Sequence, residues 1–337
     1  MDILQNPHRG TGLSPDAPYP STDAARVAAM LARCPAHAET PLVSAPGLAA
    51  ASGVAELWVK DERGRMGLGS FKALGAAYVI ACDAGAGQAA GRSYVTASAG
   101  NHGLSVAAGA RVFGARAVVC LSDTVPEVFA ERLRAEGAEV RHAGADYAAS
   151  MDAAERAARD EGMVLLSDSS WAGYTDIPYR LMEGYLQLAA EVAAQIPAPP
   201  SHILLQAGVG GLAGAVAAFA RHAWGDGPRI VVVEPAAAPA LHHAIAAGRA
   251  VDTTGPESCM GRLDCKTASW IALRGLSRDA DAFALISEDE VQAAMPVLAD
   301  AGLATTPSGG AGLAVLLAGL DLPGEARVLT ILSEAPE

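Results

Sequence analysis

Short apolar runs recur along the chain, each followed by a longer amphipathic stretch, and this alternation sets the expected fold. The runs predict strands at 57–60, 92–96, 117–121, 139–142, 163–166, 203–206, 230–234, 282–286 and 328–332. Helical spacing of apolar positions predicts helices over 73–82, 101–113, 126–136, 177–196, 211–224, 288–301 and 310–319. Thr22-Asp23 reads as the cap of a further helix over 24–33. Alternating strands and helices imply an α/β fold in which parallel sheets are covered by helices on both faces. Glu39 to Leu42 reads as an extended segment. Two regions lack a period. Residues 1 to about 24, rich in Pro, Gly, Asp and Ser, are expected to form an irregular arm over the surface or an oligomer interface. Residues 252–267 are expected to form a loop near the functional site.

Composition narrows the functional classes. The chain has 337 residues and is half hydrophobic, enough for two domains with a large core. A formal net charge of −13 argues against nucleic acid or an anionic membrane as partner. Five cysteines at irregular spacing, with no CxxC pair, suggest neither a disulfide framework nor a zinc site; buried thiols in a reducing compartment are expected, and no metal. The start of the chain has no basic and apolar leader pattern, and no run of about 18 apolar residues occurs. A soluble, cytoplasmic protein is the expectation.

Open α/β sheets bind ligands at the carboxyl ends of their strands, and the chemistry of this chain is concentrated in the loops at that end. Gly67-Leu68-Gly69-Ser70-Phe71-Lys72-Ala73-Leu74-Gly75 puts one lysine at a helix start among apolar neighbours. Burial there is expected to lower its pKa and make it a Schiff-base nucleophile. Thr96-Ala97-Ser98-Ala99-Gly100-Asn101-His102-Gly103 offers backbone N–H groups and a helix N-terminus to an anion such as a carboxylate, with Asn101 available to a phenolic or carbonyl oxygen. Gln206-Ala207-Gly208-Val209-Gly210-Gly211-Leu212 follows an apolar strand and opens a helix, the setting of a phosphate cradle. No Lys-Ser/Thr follows, so it is not a nucleotide P-loop. Ser333, after the last strand, is placed to face a heteroaromatic nitrogen. An amine, a phosphate cradle, a partner for a phenolate oxygen and a partner for a ring nitrogen together specify a pyridoxal 5′-phosphate site.

On these motifs the chain resembles the fold-type II pyridoxal-phosphate enzymes. Within them it is most similar to diaminopropionate ammonia-lyases, through Val59-Lys60-Asp61-Glu62, the Lys72 segment, Asp168-Ser169-Ser170-Trp171-Ala172-Gly173-Tyr174, the Gly208 loop and Val233-Glu234-Pro235. The resemblance runs from about residue 38 to the end. It implies two open, mostly parallel α/β sheets with the cofactor in the cleft between domains: a large domain of residues 1–92 and 176–337, and a small one of 93–175 inserted in it. It implies that Lys72 binds the cofactor aldehyde and serves as base at the substrate Cα, with Asp168 near the reacting amino groups. Phe71, Asn101, Gly208, Val209, Gly210, Gly211, Leu212 and Ser333 are implied to hold the cofactor. Ser98, Ala99, Gly100, His102 and Tyr174 are implied to hold the substrate. A homodimer acting on a small amino acid is the usual arrangement in this group.

The implied reaction is α,β-elimination from a small L-amino acid, giving a 2-oxo acid and ammonia. The alternatives are a serine/threonine or 3-hydroxyaspartate dehydratase, a β-replacement synthase, and a non-catalytic binding protein. Two departures bear on the choice. The lyases carry Asp directly before Gly-Asn-His, a second acid/base needed for the D-isomer, where this chain has Ala99. The Ser98-Ala99-Gly100-Asn101-His102 loop thereby resembles that of threonine dehydratase, and Lys72 is expected to be the sole Cα base. Arg262 and Lys266 add positive charge to the 259–266 segment, which raises two expectations: a substrate with an anionic or polar β-group, or two side chains in solvent.

Overall fold

The computed structural model describes residues 1–336. Its strands are β1 (Asp2–Gln5), β2 (Leu42–Ser44), β3 (Glu56–Asp61), β4 (Ser93–Thr96), β5 (Arg116–Leu121), β6 (Glu139–His142), β7 (Val164–Leu165), β8 (His202–Gln206), β9 (Arg229–Pro235), β10 (Ala282–Ile286) and β11 (Arg327–Leu332). Every apolar run read from the sequence lies on one of them. They form two sheets, seven strands in the order β1-β10-β9-β8-β11-β3-β2 and four in the order β6-β5-β4-β7. The four-stranded sheet is parallel throughout. In the larger sheet only the edges β1 and β2 run antiparallel. The strands of the smaller sheet all come from residues 93–165, and those of the larger from the chain on either side.

Central strands are apolar without alternation because helices cover both faces. Ile203, Leu204 and Leu205 of β8, and Ile230, Val232 and Val233 of β9, are fully buried. Among the described residues, no helix is long and apolar enough to cross a membrane.

Three expectations of local structure are corrected. The N-terminal segment does not begin as an irregular arm: residues 2–5 pair with β10, Asp2 opposite Leu285. Residues 42–44 form β2, beyond the simple extended segment expected there. The partners of both edge strands are distant or lie across a loop, so no local period announces them. The single helix expected over 177–196 is two, Asp176–Gly184 and Leu186–Gln195. At the break, Gly184 lies against the backbone of the Lys72–Gly85 helix, where an added Cβ would come within 2.5 Å of the Leu74 carbonyl oxygen.

Two polar clusters hold the frame beneath the cleft. Arg65 is fully buried, its guanidinium 2.7 Å from both Glu62 Oε1 and Glu191 Oε2, and Lys60 Nζ is 2.7 Å from the same Glu191 oxygen. This cluster pins the turn between β3 and the Lys72–Gly85 helix. Where the chain passes between the sheets, Asp83 accepts from Arg92, Tyr94 and Arg180 at 2.7–2.8 Å.

Candidate active site

The loops at the carboxyl ends of the strands enclose a cavity of about 770 Å³ walled by both sheets. Lys72 opens the Lys72–Gly85 helix, its own N–H bonded to Ser70 Oγ at 3.2 Å. The preceding Phe71 N–H bonds to the Ser333 carbonyl at 3.1 Å, which ties the lysine turn to the end of β11. Phe71 meets the Tyr185 ring edge to face, centroids 4.9 Å apart, behind the lysine.

Lys72 Nζ lies 2.5 Å from Asp168 Oδ2. This pairing overturns the expected effect of burial on the lysine. Burial does act to lower its pKa, but the Asp168 carboxylate, with Tyr185 adding to it, outweighs burial and holds Lys72 above the ordinary lysine value. Burial likewise acts to raise the pKa of Asp168, and the charge of Lys72 overrides it and holds that carboxyl below the usual range. The pair is an ammonium and a carboxylate.

The second loop lines the cavity with Ser98, Ala99, Gly100, Asn101 and His102. Gly103 lets this loop fold onto its helix, since a Cβ there would fall 2.0 Å from the Ser98 carbonyl oxygen. His102 is buried and bonds through Nε2 to the Leu166 carbonyl at 2.8 Å. A carbonyl only accepts, so Nε2 carries the proton. Burial, then the nearby Lys72 charge, lowers the pKa of this imidazole and keeps it neutral. Asn101 Nδ2 donates to Glu334 Oε2 at 2.5 Å.

The glycine loop is shaped for close approach. Gly210 has φ +96, a left-handed conformation suited to glycine. At Gly208 an added Cβ would meet Cys265 Sγ and Leu263 Cα at 3.0 Å. The loop runs into the Gly211–Trp224 helix, whose first-turn N–H groups, without partners inside the helix, suit an anion. Val209, Leu212 and Ser333 line the same cavity.

Other residues fall in places the sequence did not indicate. Tyr174 is turned away from the cavity, which Trp171 of the same segment lines instead. Its hydroxyl bridges backbone, donating to the Leu165 carbonyl at 2.7 Å and accepting from Ser167 N–H at 3.1 Å, and its ring stacks on Trp171. It thus shapes the loop that carries Asp168. The 252–267 region is the expected loop, and Gly261 to Thr267 line the cavity. Both of its cations are half-buried and paired with carboxylates. Lys266 Nζ bonds to Asp264 Oδ1 at 2.5 Å and to the Ala237 and Pro256 carbonyls at 2.9 Å, while Arg262 Nη1 is 3.1 Å from Glu334 Oε1. Glu334 was the missed residue. Its only sequence signal was a carboxylate directly after Ser333 at the end of the last strand.

A family model described as "Pyridoxal-phosphate dependent enzyme" matches residues 34–334. The chain belongs to this family. Its cofactor is pyridoxal phosphate, and the cavity fits that group: a cradle that a Cβ at Gly208 would obstruct for phosphate, and an amine for the aldehyde. Among relatives of the family, diaminopropionate ammonia-lyase of Salmonella typhimurium is 35% identical over 235 residues, 62% of this chain and 58% of that protein. A serine dehydratase-like protein of Mus musculus is 30% identical, over 89% of this chain and 88% of that one. The fold matches a structure of Escherichia coli diaminopropionate ammonia lyase in complex with an aminoacrylate-PLP azomethine reaction intermediate. The TM-score is 0.88 at 27% identity, covering 99% of this chain and 93% of that one.

Proposed function

We propose that this enzyme is a lyase that removes the β-amino group of L-2,3-diaminopropionate by α,β-elimination, releasing pyruvate and two molecules of ammonia with one water consumed. The observation that carries the reading is the 2.5 Å pair of Lys72 and Asp168 inside the cavity. Once the lysine nitrogen is engaged with the cofactor, Asp168 is a carboxylate in a largely water-excluded site without its cation. A β-ammonium on the substrate replaces that cation; a hydroxyl does not.

Bound pyridoxal phosphate supplies the electron sink for the pair left at Cα. The chain's residues supply the rest. Lys72, displaced by the substrate amine, takes the Cα proton. Asp168 holds the β-ammonium and orients it as leaving group. The N–H groups of the Ser98–Asn101 loop at the head of the Asn101–Val112 helix receive the substrate carboxylate. The Gly208–Leu212 loop would hold the cofactor phosphate, Asn101 its ring oxygen and Ser333 its ring nitrogen. Ala99 carries no acid or base, so only the Lys72 side exchanges a proton and the L-isomer is the substrate. The catalytic frame divides into a large domain, 1–92 and 176–337, and a small one, 93–175, with the cleft between them.

Initial rates of 2-oxo acid release, pyruvate from L-2,3-diaminopropionate and L-serine and 2-oxobutyrate from L-threonine, test the reading. Diaminopropionate should exceed serine in kcat/KM by about tenfold or more; the reverse order overturns it. A dehydratase is the second reading, favoured by Ala99 before Gly100-Asn101-His102 and by the serine dehydratase-like relative. A homodimer in a reducing, cytoplasmic compartment is part of this proposal, the free cysteines supporting the compartment; light scattering in solution tests the dimer.

A further inference from the structure

Glu334 reaches from the end of β11 across the cleft. One carboxylate oxygen accepts from Thr306 Oγ1 and lies 3.1 Å from Arg262 Nη1; the other accepts from Asn101 Nδ2 at 2.5 Å. The side chain is buried and lines the cavity. Three of these groups, Glu334, Arg262 and Thr306, belong to the large-sheet side. Asn101 heads the helix that follows β4 of the small sheet.

An amide has two faces, one donating and one accepting. A carboxylate already held by Arg262 and Thr306 can only accept, so the Asn101 NH₂ must turn toward it. If the amide flipped, Asn101 Oδ1 would face a carboxylate oxygen at hydrogen-bond distance. The second N–H of Nδ2 is then left on the cavity side.

We propose that Glu334 is a positioning residue that fixes the amide of Asn101, so that an N–H rather than the carbonyl is presented to the cofactor's ring oxygen. This rests on the assignment of Asn101 to that oxygen in the proposed function, and on nothing about the substrate. The same link closes the cleft, because the donor and the residue that orients it stand on opposite sheets.

Glu334→Gln keeps the shape and removes the constraint. Its amide oxygen is drawn to Arg262 and its NH₂ to Asn101, which favours the flipped Asn101. The absorption spectrum of the holoenzyme reads this directly, since a donor at the ring oxygen favours the charged, longer-wavelength form of the bound cofactor. Glu334→Gln should lower the long-wavelength band relative to the short-wavelength one, and weaken cofactor binding about tenfold, the scale of one hydrogen bond to a charged group. Asn101→Ala should do the same, and adding Glu334→Gln to Asn101→Ala should change the spectrum no further. Should the Gln variant fold poorly, Glu334→Ala, which leaves the Asn101 amide free to take either face, should lower the band in the same direction by a smaller amount. A wild-type band in Glu334→Gln, or a Glu334→Gln effect that persists undiminished in Asn101→Ala, overturns the proposal while leaving Asn101 in place. An unchanged band in Asn101→Ala overturns both the proposal and the Asn101 assignment.

Discussion

Lys72 and Asp168, 96 positions apart in the chain, meet at 2.5 Å inside the cavity as an ammonium and a carboxylate. The contact joins the helix after β3 to the loop after β7, and so joins the two sheets. Its consequence is that the lysine rests charged and must give up a proton to react, while the aspartate stays charged throughout.

The substrate's β-group should therefore decide how much Asp168 matters. Asp168→Asn should lower kcat/KM for L-2,3-diaminopropionate by about 100-fold or more, on the scale of a lost acid/base or charge partner. For L-serine the loss should stay under about tenfold. Steady-state kinetics with both substrates check this; equal losses remove the case for a cationic leaving group.

The proposed handedness rests on Ala99. The wild-type enzyme should discriminate against the D-isomer by about 100-fold or more, because no group on that side takes the proton. Ala99→Asp, placing a carboxylate in the cavity wall, should raise D-diaminopropionate turnover. Equal rates on the two isomers in the wild type would show that another base operates.

Gly208→Ala brings a Cβ to 3.0 Å from Leu263 Cα, which is backbone and cannot swing aside. The variant should lose about 1–3 kcal/mol of stability. It should also release the cofactor at least tenfold more readily, followed by fluorescence on dilution, since the cradle must open to admit the methyl group.

Arg65 anchors the turn before Lys72 from within a fully buried cluster. Arg65→Met leaves Glu62 and Glu191 with Lys60, paired to Glu191, as the cation remaining in the cluster. A loss of about 3–5 kcal/mol is expected in urea unfolding, the scale for breaking a buried ion network from one side. Lys72→Ala, at the cavity wall, should abolish activity and the cofactor's long-wavelength band with far less effect on stability.

Glu234 is buried at the end of β9 and accepts from the Leu241 and His242 N–H groups at 2.7 Å. Burial outweighs those bonds and pushes its pKa up to about 8. A raised carboxyl binds its proton more tightly folded than unfolded, so its contribution is full below about pH 4 and is lost as the pH rises through about 8. Thermal stability should fall across that window, and Glu234→Gln should flatten the fall. An unaltered slope in the variant would place the titration elsewhere.

What the chain discloses about itself depends on how local the cause is. A run such as Ile203-Leu204-Leu205 before Gly208, or Ala73 to Cys82 after Lys72, carries its own period, and strand or helix follows from burying that face. The site residues on strand-to-helix loops were legible for a related reason. Glycines at 208 and 210, an amide at 101 and an amine at 72 each mark a loop by chemistry alone, and the α/β rule sends such loops to one end of the sheets. Edge strands β1 and β2 were not legible, because their pairing energy is spent on backbone partners that no side-chain pattern names.

The sequence alone determined the alternation of elements, the two-sheet architecture it resembles, and which strand-to-helix loops line the cavity, since each rests on residues close together in the chain. Tertiary structure alone decided which charges meet. It set Asp168 against Lys72 and reversed the lysine's expected pKa shift. It consumed Lys266 and Arg262 in ion pairs, turned Tyr174 into a loop brace, and brought Glu334 to Asn101 across 233 positions. The reason is the reach of the interaction. Hydrophobic period acts over a few residues, whereas a salt bridge in a low-dielectric cleft depends on distances of a few ångströms between groups that the chain itself leaves far apart.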